Sequence, residues 1–278
     1  MLAKRSKQTA LIVVLAVFTL VMLFPLYIML TGSFKSAAEI ATNPIGLPQK
    51  AMPSNYTRLL DYNSGVIVRT YMNSIFITVT YTVMALFLAS MCAYALSKYR
   101  FKGSKLIFYM LLSTMMIPHE LTIAPLYLVF SKIGWLDTYA VQIFPSVANV
   151  FAMFMYKQYI DGLPDVVFEA AKIDGAAPHQ TYARILMPML APTTGALAIL
   201  VSLGKWNDYL WPTMMVNKTI YKPIMAILPF LNETEDALSI PWEIVLAACT
   251  IVTLPVLCIF LAFQNKFMAS VTIGAVKE

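Results

Sequence analysis

Two carboxylates stand where carboxylates are costly. Glu120 and Asp208 both lie within long apolar runs of a 278-residue chain, and a charge at the centre of a bilayer costs about 2.5–3.5 kcal/mol on insertion scales. A cost of that size marks a pathway or relay group, or a charge held by an opposite one. Lys205, three residues before Asp208, falls on the same helical face and offers such a partner. Trp206, Asn207 and Trp211 surround Asp208, and aromatic faces beside hydrogen-bonding side chains suit polyols. The same tryptophans equally suit anchors at a membrane interface. Around Glu120, Pro118 leaves a backbone carbonyl that a polar side chain can satisfy or that lines an aqueous gap. Glu120, Trp206, Asn207, Asp208 and Trp211 are therefore the candidates for a translocation path.

Other chemistries fail on spacing. His119-Glu120 opens like a zinc-protease motif, but Ile123 occupies the position of the second histidine, so no metal site is expected. No Gly-x4-Gly-Lys-Ser/Thr stretch occurs, so the chain is not expected to hydrolyse ATP and carries no cofactor of its own. Cys249 and Cys258, nine residues apart on one helix, would stand about 13 Å apart, too far for a disulfide. With Cys92 they are read as small packing residues.

The elements that must position these residues are membrane helices. Hydrophobic residues make up 59% and charged residues 12% of the chain, whereas soluble domains are about one quarter charged. Six apolar runs reach the roughly 20 residues needed to cross a bilayer: about 10–31, 71–96, 106–130, 138–160, 191–216 and 243–265. The first is longer than a signal-peptide core of about 7–15 residues and lacks a small-x-small cleavage site, so it is read as a span. One membrane domain covers residues 1–278.

Loop charges orient the spans. One side collects twelve basic residues: Lys4, Arg5, Lys7, Lys98, Arg100, Lys102, Lys105, Lys157, Lys172, Arg184, Lys266 and Lys277. The other collects seven, Lys35, Lys50, Arg58, Arg69, Lys132, Lys218 and Lys222. Both termini and residues 161–190 are thus expected in the cytoplasm. The formal charge of +6 is a topology signal; no aromatic-interleaved basic patch points to nucleic acid.

Residues 161–190 combine helix signals with a dense cluster of charge. Pro164 suits a first helical turn, Asp165 sits at the positive end of the helix dipole, Gly175 supplies a left-handed stop, and Pro178 restarts a helix that runs to Pro188. Ala170, Ala171, Gly175, Ala176 and Ala177 leave a surface with little bulk, suited to docking into a groove of a partner. Glu169-Ala170-Ala171, three residues, Gly175, nine residues, then Ile185-Leu-Met-Pro188 resembles the EAA loop of ATP-binding-cassette (ABC) importer permeases. Met187 replaces the family's leucine, a volume-conserving change. Pro53-Ser-Asn55-Tyr56, Asn73-Ser74, Ile117-Pro118 with Pro125-Leu-Tyr127, Trp206-Asn-Asp-Tyr-Leu-Trp-Pro212 and the tail Gly274-Ala-Val-Lys277 are similar to the carbohydrate branch. Met268-Ala-Ser-Val departs from that branch's usual tail.

The resemblance implies an all-α, six-span type I importer permease of the maltose type in a bacterial or archaeal cytoplasmic membrane. It implies pairing with a second homologous permease, two ATPase subunits that hold ATP and Mg, and an extracytoplasmic sugar-binding protein that segment 32–70 helps to dock. Glu169, Ala170, Ala171, Asp174, Gly175 and Ala176 would then couple ATPase closure to the spans, and the cargo would be a sugar, with oligosaccharide preferred. Three alternatives stand beside it: an ABC permease for a non-sugar solute, a proton-coupled secondary carrier using Glu120 and Asp208, and a membrane scaffold that transports nothing.

Overall fold

The computed structural model describes residues 2–99, 101–232 and 241–275, with side chains at 8–62, 64–99, 101–231 and 241–261. Arg100, the side chains of Lys4, Arg5, Lys7 and Lys266, and the Val276-Lys277 end of the tail motif thus lie outside what is described. Among the described residues every element is helical. Four helices are long and apolar enough to cross a membrane: Gln8–Gly32, Val66–Lys98, Tyr139–Asp161 and Trp242–Leu261. Two bent pairs raise the number to six if each pair is one span.

The bends fall where proline interrupts helical hydrogen bonding. The run expected as one span at 106–130 is two helices, Ser104–Thr114 and His119–Lys132, set 95° apart. Pro118 caps the second with extended backbone (φ −57°, ψ 130°), which a residue without an N–H can do at no loss. The run 191–216 also differs from a single rod. Its helix Ala191–Trp206 ends at Asn207, and a separate short helix, Leu210–Met215, follows. Ahead of it, Pro178–Met189 meets Ala191–Trp206 at 77°. There Tyr182–Leu186 forms a π-turn, because Pro188 has no N–H to close an α-turn onto Arg184.

The chain divides into two compact units. In the unit of residues 1–69 and 227–256, residues 8–25 of the first helix are exposed throughout. A helix satisfies its own backbone, so it needs only an apolar surrounding to be stable there. Segment 32–70 holds short helices, Ala37–Thr42 and Ser54–Asp61, and is tied down by side chains. Asn55 is buried and donates to the carbonyls of Ser33 (2.9 Å) and Lys35 (2.8 Å). The buried Lys35 ammonium donates to the carbonyls of Asn43 (2.7 Å) and Pro44 (3.2 Å), and the Tyr56 and Ser33 hydroxyls share a 2.7 Å hydrogen bond. The Pro53–Tyr56 motif therefore ties down the end of the first helix.

The second unit, residues 70–226 and 257–278, holds the main core. Ile77, Tyr81, Ala85, Ala89 and Ala93 form a stripe four residues apart on the Val66–Lys98 helix, and they belong to one buried cluster with Tyr156, Ile160, Leu186 and Leu197. Lipid supplies no hydrophobic drive between helices, so association rests on close packing, and small residues permit it. Asn73-Ser74 has a related structural task. Asn73 donates to the carbonyls of Ile220 (2.8 Å) and Lys222 (2.9 Å) and accepts from Tyr139 (2.8 Å), while the Ser74 hydroxyl accepts from the Ile224 N–H (2.8 Å). These bonds satisfy an irregular segment whose backbone has no ladder of its own.

Candidate functional site

Two places in the second unit gather the expected functional residues. The first is the turn after the Asp165–Ile173 helix. Asp165 lies in its first turn and Lys172 in its last, each matching the helix dipole. Gly175 has φ +76°. Its N–H donates to the Lys172 carbonyl at 3.2 Å, and the Ala176 N–H donates to the Ala171 carbonyl at 2.9 Å. This pair of bonds around a left-handed residue is a Schellman stop. The next helix begins with Pro178, and Gln180 accepts from the Ala177 N–H at 3.0 Å.

Glu169, Ala170, Asp174 and Gly175 all face outward, and Ala176 is half-buried. Ala171 is turned into the chain's own packing, at 6% exposure, so the low-bulk surface is narrower than its alanine content suggests. Val166 and Ile173, which motif reading passes over, stand out at 71% and 85% exposure. The helical period of their apolar side chains against the buried Ala171 was the available signal. Behind this helix is a groove of about 730 Å³ lined by Tyr94, Ser97, Lys98, Phe168 and Glu169 among others.

The second place is a cleft of about 370 Å³, in which Tyr81, His119, Asn149, Lys205 and Asp208 stand among apolar groups such as Phe151, Leu200 and Val201. Lys205 Nζ lies 2.8 Å from Asp208 Oδ2, and the other Asp208 oxygen accepts from the Trp211 N–H at 3.3 Å. Lys205 also sits 5.3 Å over the Tyr81 ring. Asn149 donates to the Tyr81 hydroxyl at 3.2 Å and caps the Val150–Asp161 helix by accepting from the Ala152 N–H at 2.9 Å. The cleft thus offers hydroxyl, amide and ion-pair partners beside the partly exposed ring of Phe151.

The path candidates do not all meet there. Asp208 lines the cleft, whereas Asn207 caps the preceding helix and is exposed. Trp206 is buried, edge-on to Tyr71 at 5.7 Å. Trp211 is buried and its indole donates to the Val141 carbonyl at 2.8 Å. Both tryptophans are covered by their own chain. Glu120 is exposed in the first turn of His119–Lys132 and does not line the cleft; its neighbour His119 does, with its ring 5.4 Å from that of Trp211 and tilted by 34°. Tyr81 and Asn149 come from elsewhere in the chain, and no local motif announces them.

Long apolar helices and proline-broken spans define a multi-pass membrane protein. Residues 83–272 match the binding-protein-dependent transport system inner membrane component family, and the chain belongs to that family. It is 31% identical to the arabinooligosaccharides transport system permease protein AraQ of Halalkalibacterium halodurans, over 94% of both chains. Its identity to the Bacillus subtilis protein of that name is 32%, over 97% of this chain and 96% of the other. A probable starch degradation products permease, AmyC of Thermoanaerobacterium thermosulfurigenes, is 32% identical over 94% of both. The fold is that of a chain in the crystal structure of a bacterial ABC transporter importing the acidic polysaccharide alginate. The TM-score is 0.85 at 24% identity, covering 95% of this chain and 97% of that one.

Proposed function

We propose that this chain is one permease of a type I ABC importer for sugars, with oligosaccharides the preferred class. Residues 1–278 act as one transmembrane domain of six spans, each proline-bent pair counting as one. A second homologous permease completes the path, two ATPase subunits carry ATP and Mg, and an extracytoplasmic binding protein delivers the sugar. The membrane is the cytoplasmic membrane of a bacterium or archaeon, with both termini and residues 161–190 inside.

The observation that carries this reading is the outward-facing Asp165–Ala176 turn, Schellman-stopped at Gly175, in a chain similar end to end to oligosaccharide permeases. Glu169, Ala170, Asp174, Gly175 and Ala176 seat in the ATPase, with Ala171 supporting them from behind. ATPase closure then biases the spans between an inward-open and an outward-open state. On the path, Asp208 acts with Lys205, Asn149, Tyr81 and His119; Trp206 and Trp211 hold the wall from within, and Asn207 and Glu120 border it. A proton relay has less support, because Asp208 is held by Lys205 and Glu120 stands outside the cleft.

Reconstitution tests the proposal. Uptake of an arabino- or malto-oligosaccharide into proteoliposomes is expected only when the second permease, ATPase and binding protein are all present and ATP reaches the ATPase. Uptake driven by a proton gradient without ATPase would overturn it. In whole cells, a cysteine at Lys102 should be shielded from an impermeant thiol reagent and one at Ser64 should react; the reverse pattern would overturn the orientation.

A further inference from the structure

The Asp165–Ile173 helix is joined by the chain itself to the Tyr139–Asp161 span before it and to the helices that follow it. The Val66–Lys98 helix, which carries the central stripe of the core, has no such covalent link to it. Between the two lies the 730 Å³ groove, so they meet through few side chains. Lys98, the last residue of its helix, spans this gap. Its ammonium is 2.6 Å from Asp165 Oδ1, donates to the Leu163 carbonyl at 3.3 Å, and lies 4.4 Å from the centre of the Phe168 ring. One turn earlier, Tyr94 meets Phe168 at 6.4 Å and Tyr182 at 5.9 Å. The Ser90 and Tyr182 hydroxyls share a 2.8 Å hydrogen bond.

An ammonium that holds a carboxylate, a carbonyl and an aromatic face at once fixes both the distance and the direction of the helix it grips. The Lys98 side chain is only 10% exposed although Asp165 is 73% exposed. The ion pair alone would count for little in water; the enclosed ammonium with three partners gives the contact its stiffness.

We propose that Lys98 is a positioning residue that makes the Val66–Lys98 helix follow the Asp165–Ile173 helix when the ATPase moves it. The proposal rests on the coupling role given above to residues 165–176. Lys98 touches neither nucleotide nor sugar. Its effect is on how much of each ATPase stroke reaches the core stripe at Ala85, Ala89 and Ala93.

The test is the complete importer in proteoliposomes, read as sugar taken up per ATP hydrolysed, with an Ala170→Cys cross-link to the ATPase as a separate measure of seating. Lys98→Ala should lower uptake per ATP by roughly 2–30-fold, the range expected for a residue on a coupling route, while the cross-link forms as in the parent. Lys98→Arg should restore most of the ratio, and the exchange Lys98→Asp with Asp165→Lys should recover part of it. An unchanged ratio with a normal cross-link overturns the role of Lys98 and leaves the coupling role of residues 165–176 intact. Failure of the parent to cross-link overturns both. Should Lys98→Ala not assemble, Lys98→Met keeps the stem and removes the ammonium with its three contacts, and an unchanged ratio there overturns the proposal equally.

Discussion

The Gly175 turn and the Asp208 cleft are both built around polar residues in an apolar chain, and they are built in opposite ways. The turn is local. Asp165, Lys172, Gly175, Ala176, Pro178 and Gln180 set its geometry within sixteen residues, through dipole matching, a left-handed stop and a fresh start. The cleft is assembled from Tyr81, His119, Asn149 and the Lys205–Asp208 pair, contributed by helices far apart in sequence. The turn is exposed and its proposed task is to dock, so damage to it should cost transport and spare the fold. The cleft shares its residues with the core, so damage there should cost the fold first.

The largest effect is expected at the turn. A Cβ at Gly175 meets no atom within 4 Å, so the cost of Gly175→Val lies in the backbone, where a β-branched residue at φ +76° is strained by about 1–3 kcal/mol. The local geometry relaxes instead of the protein unfolding. Sugar uptake in the reconstituted importer should fall about tenfold or more, the factor that about 1.4 kcal/mol represents, at normal abundance. Normal uptake in that variant would break the contrast between the two regions.

The ion pair in the cleft should show the reverse signature. Asp208→Ala strands an ammonium whose side chain is 7% exposed, whereas Lys205→Ala strands a carboxylate that is 24% exposed and keeps the Trp211 N–H. Removing one partner of a buried pair costs about 3–5 kcal/mol. Both single variants should therefore lower the amount of assembled complex, Asp208→Ala more than Lys205→Ala, and Lys205→Met with Asp208→Leu should recover much of it. Thermal unfolding of the purified complex checks the order. A fall in transport at full abundance would instead show Asp208 to be a wet pathway charge.

The smallest effect is expected at Asn149. Asn149→Ala loses an N-cap and the bond to Tyr81, worth about 1 kcal/mol for the cap, which the fold should tolerate. Uptake measured against sugar concentration should then show a raised KM if the amide meets the sugar, and an unchanged KM if it only caps its helix.

Read from residues alone, the turn was almost fully legible, because each of its determinants acts on neighbours along the chain: proline on φ, glycine on handedness, charge on the nearest helix end. The Lys205–Asp208 pair was legible for the same reason, being three residues apart in the chain, although Asp208 lies just past the end of the helix that carries Lys205. The tryptophans beside it were not, since a signature that places Trp206 and Trp211 near a path says nothing of which side of the helix faces inward. Packing against Tyr71, Val141 and Phe130 turned both inside.

What the sequence by itself determined is therefore the membrane class, the apolar helices and the stopped turn at Gly175, all of which follow from composition, hydrophobic run length and local backbone chemistry. The tertiary structure decided the rest: the 95° break that brings His119 beside Trp211, the inward turn of Ala171, the cleft around Asp208, and the grip of Lys98 on Asp165, Leu163 and Phe168. These depend on which helix faces approach one another. In an apolar surrounding that choice is set by the fit of small residues and the satisfaction of scattered polar groups, and no short stretch of sequence contains both sides of such a contact.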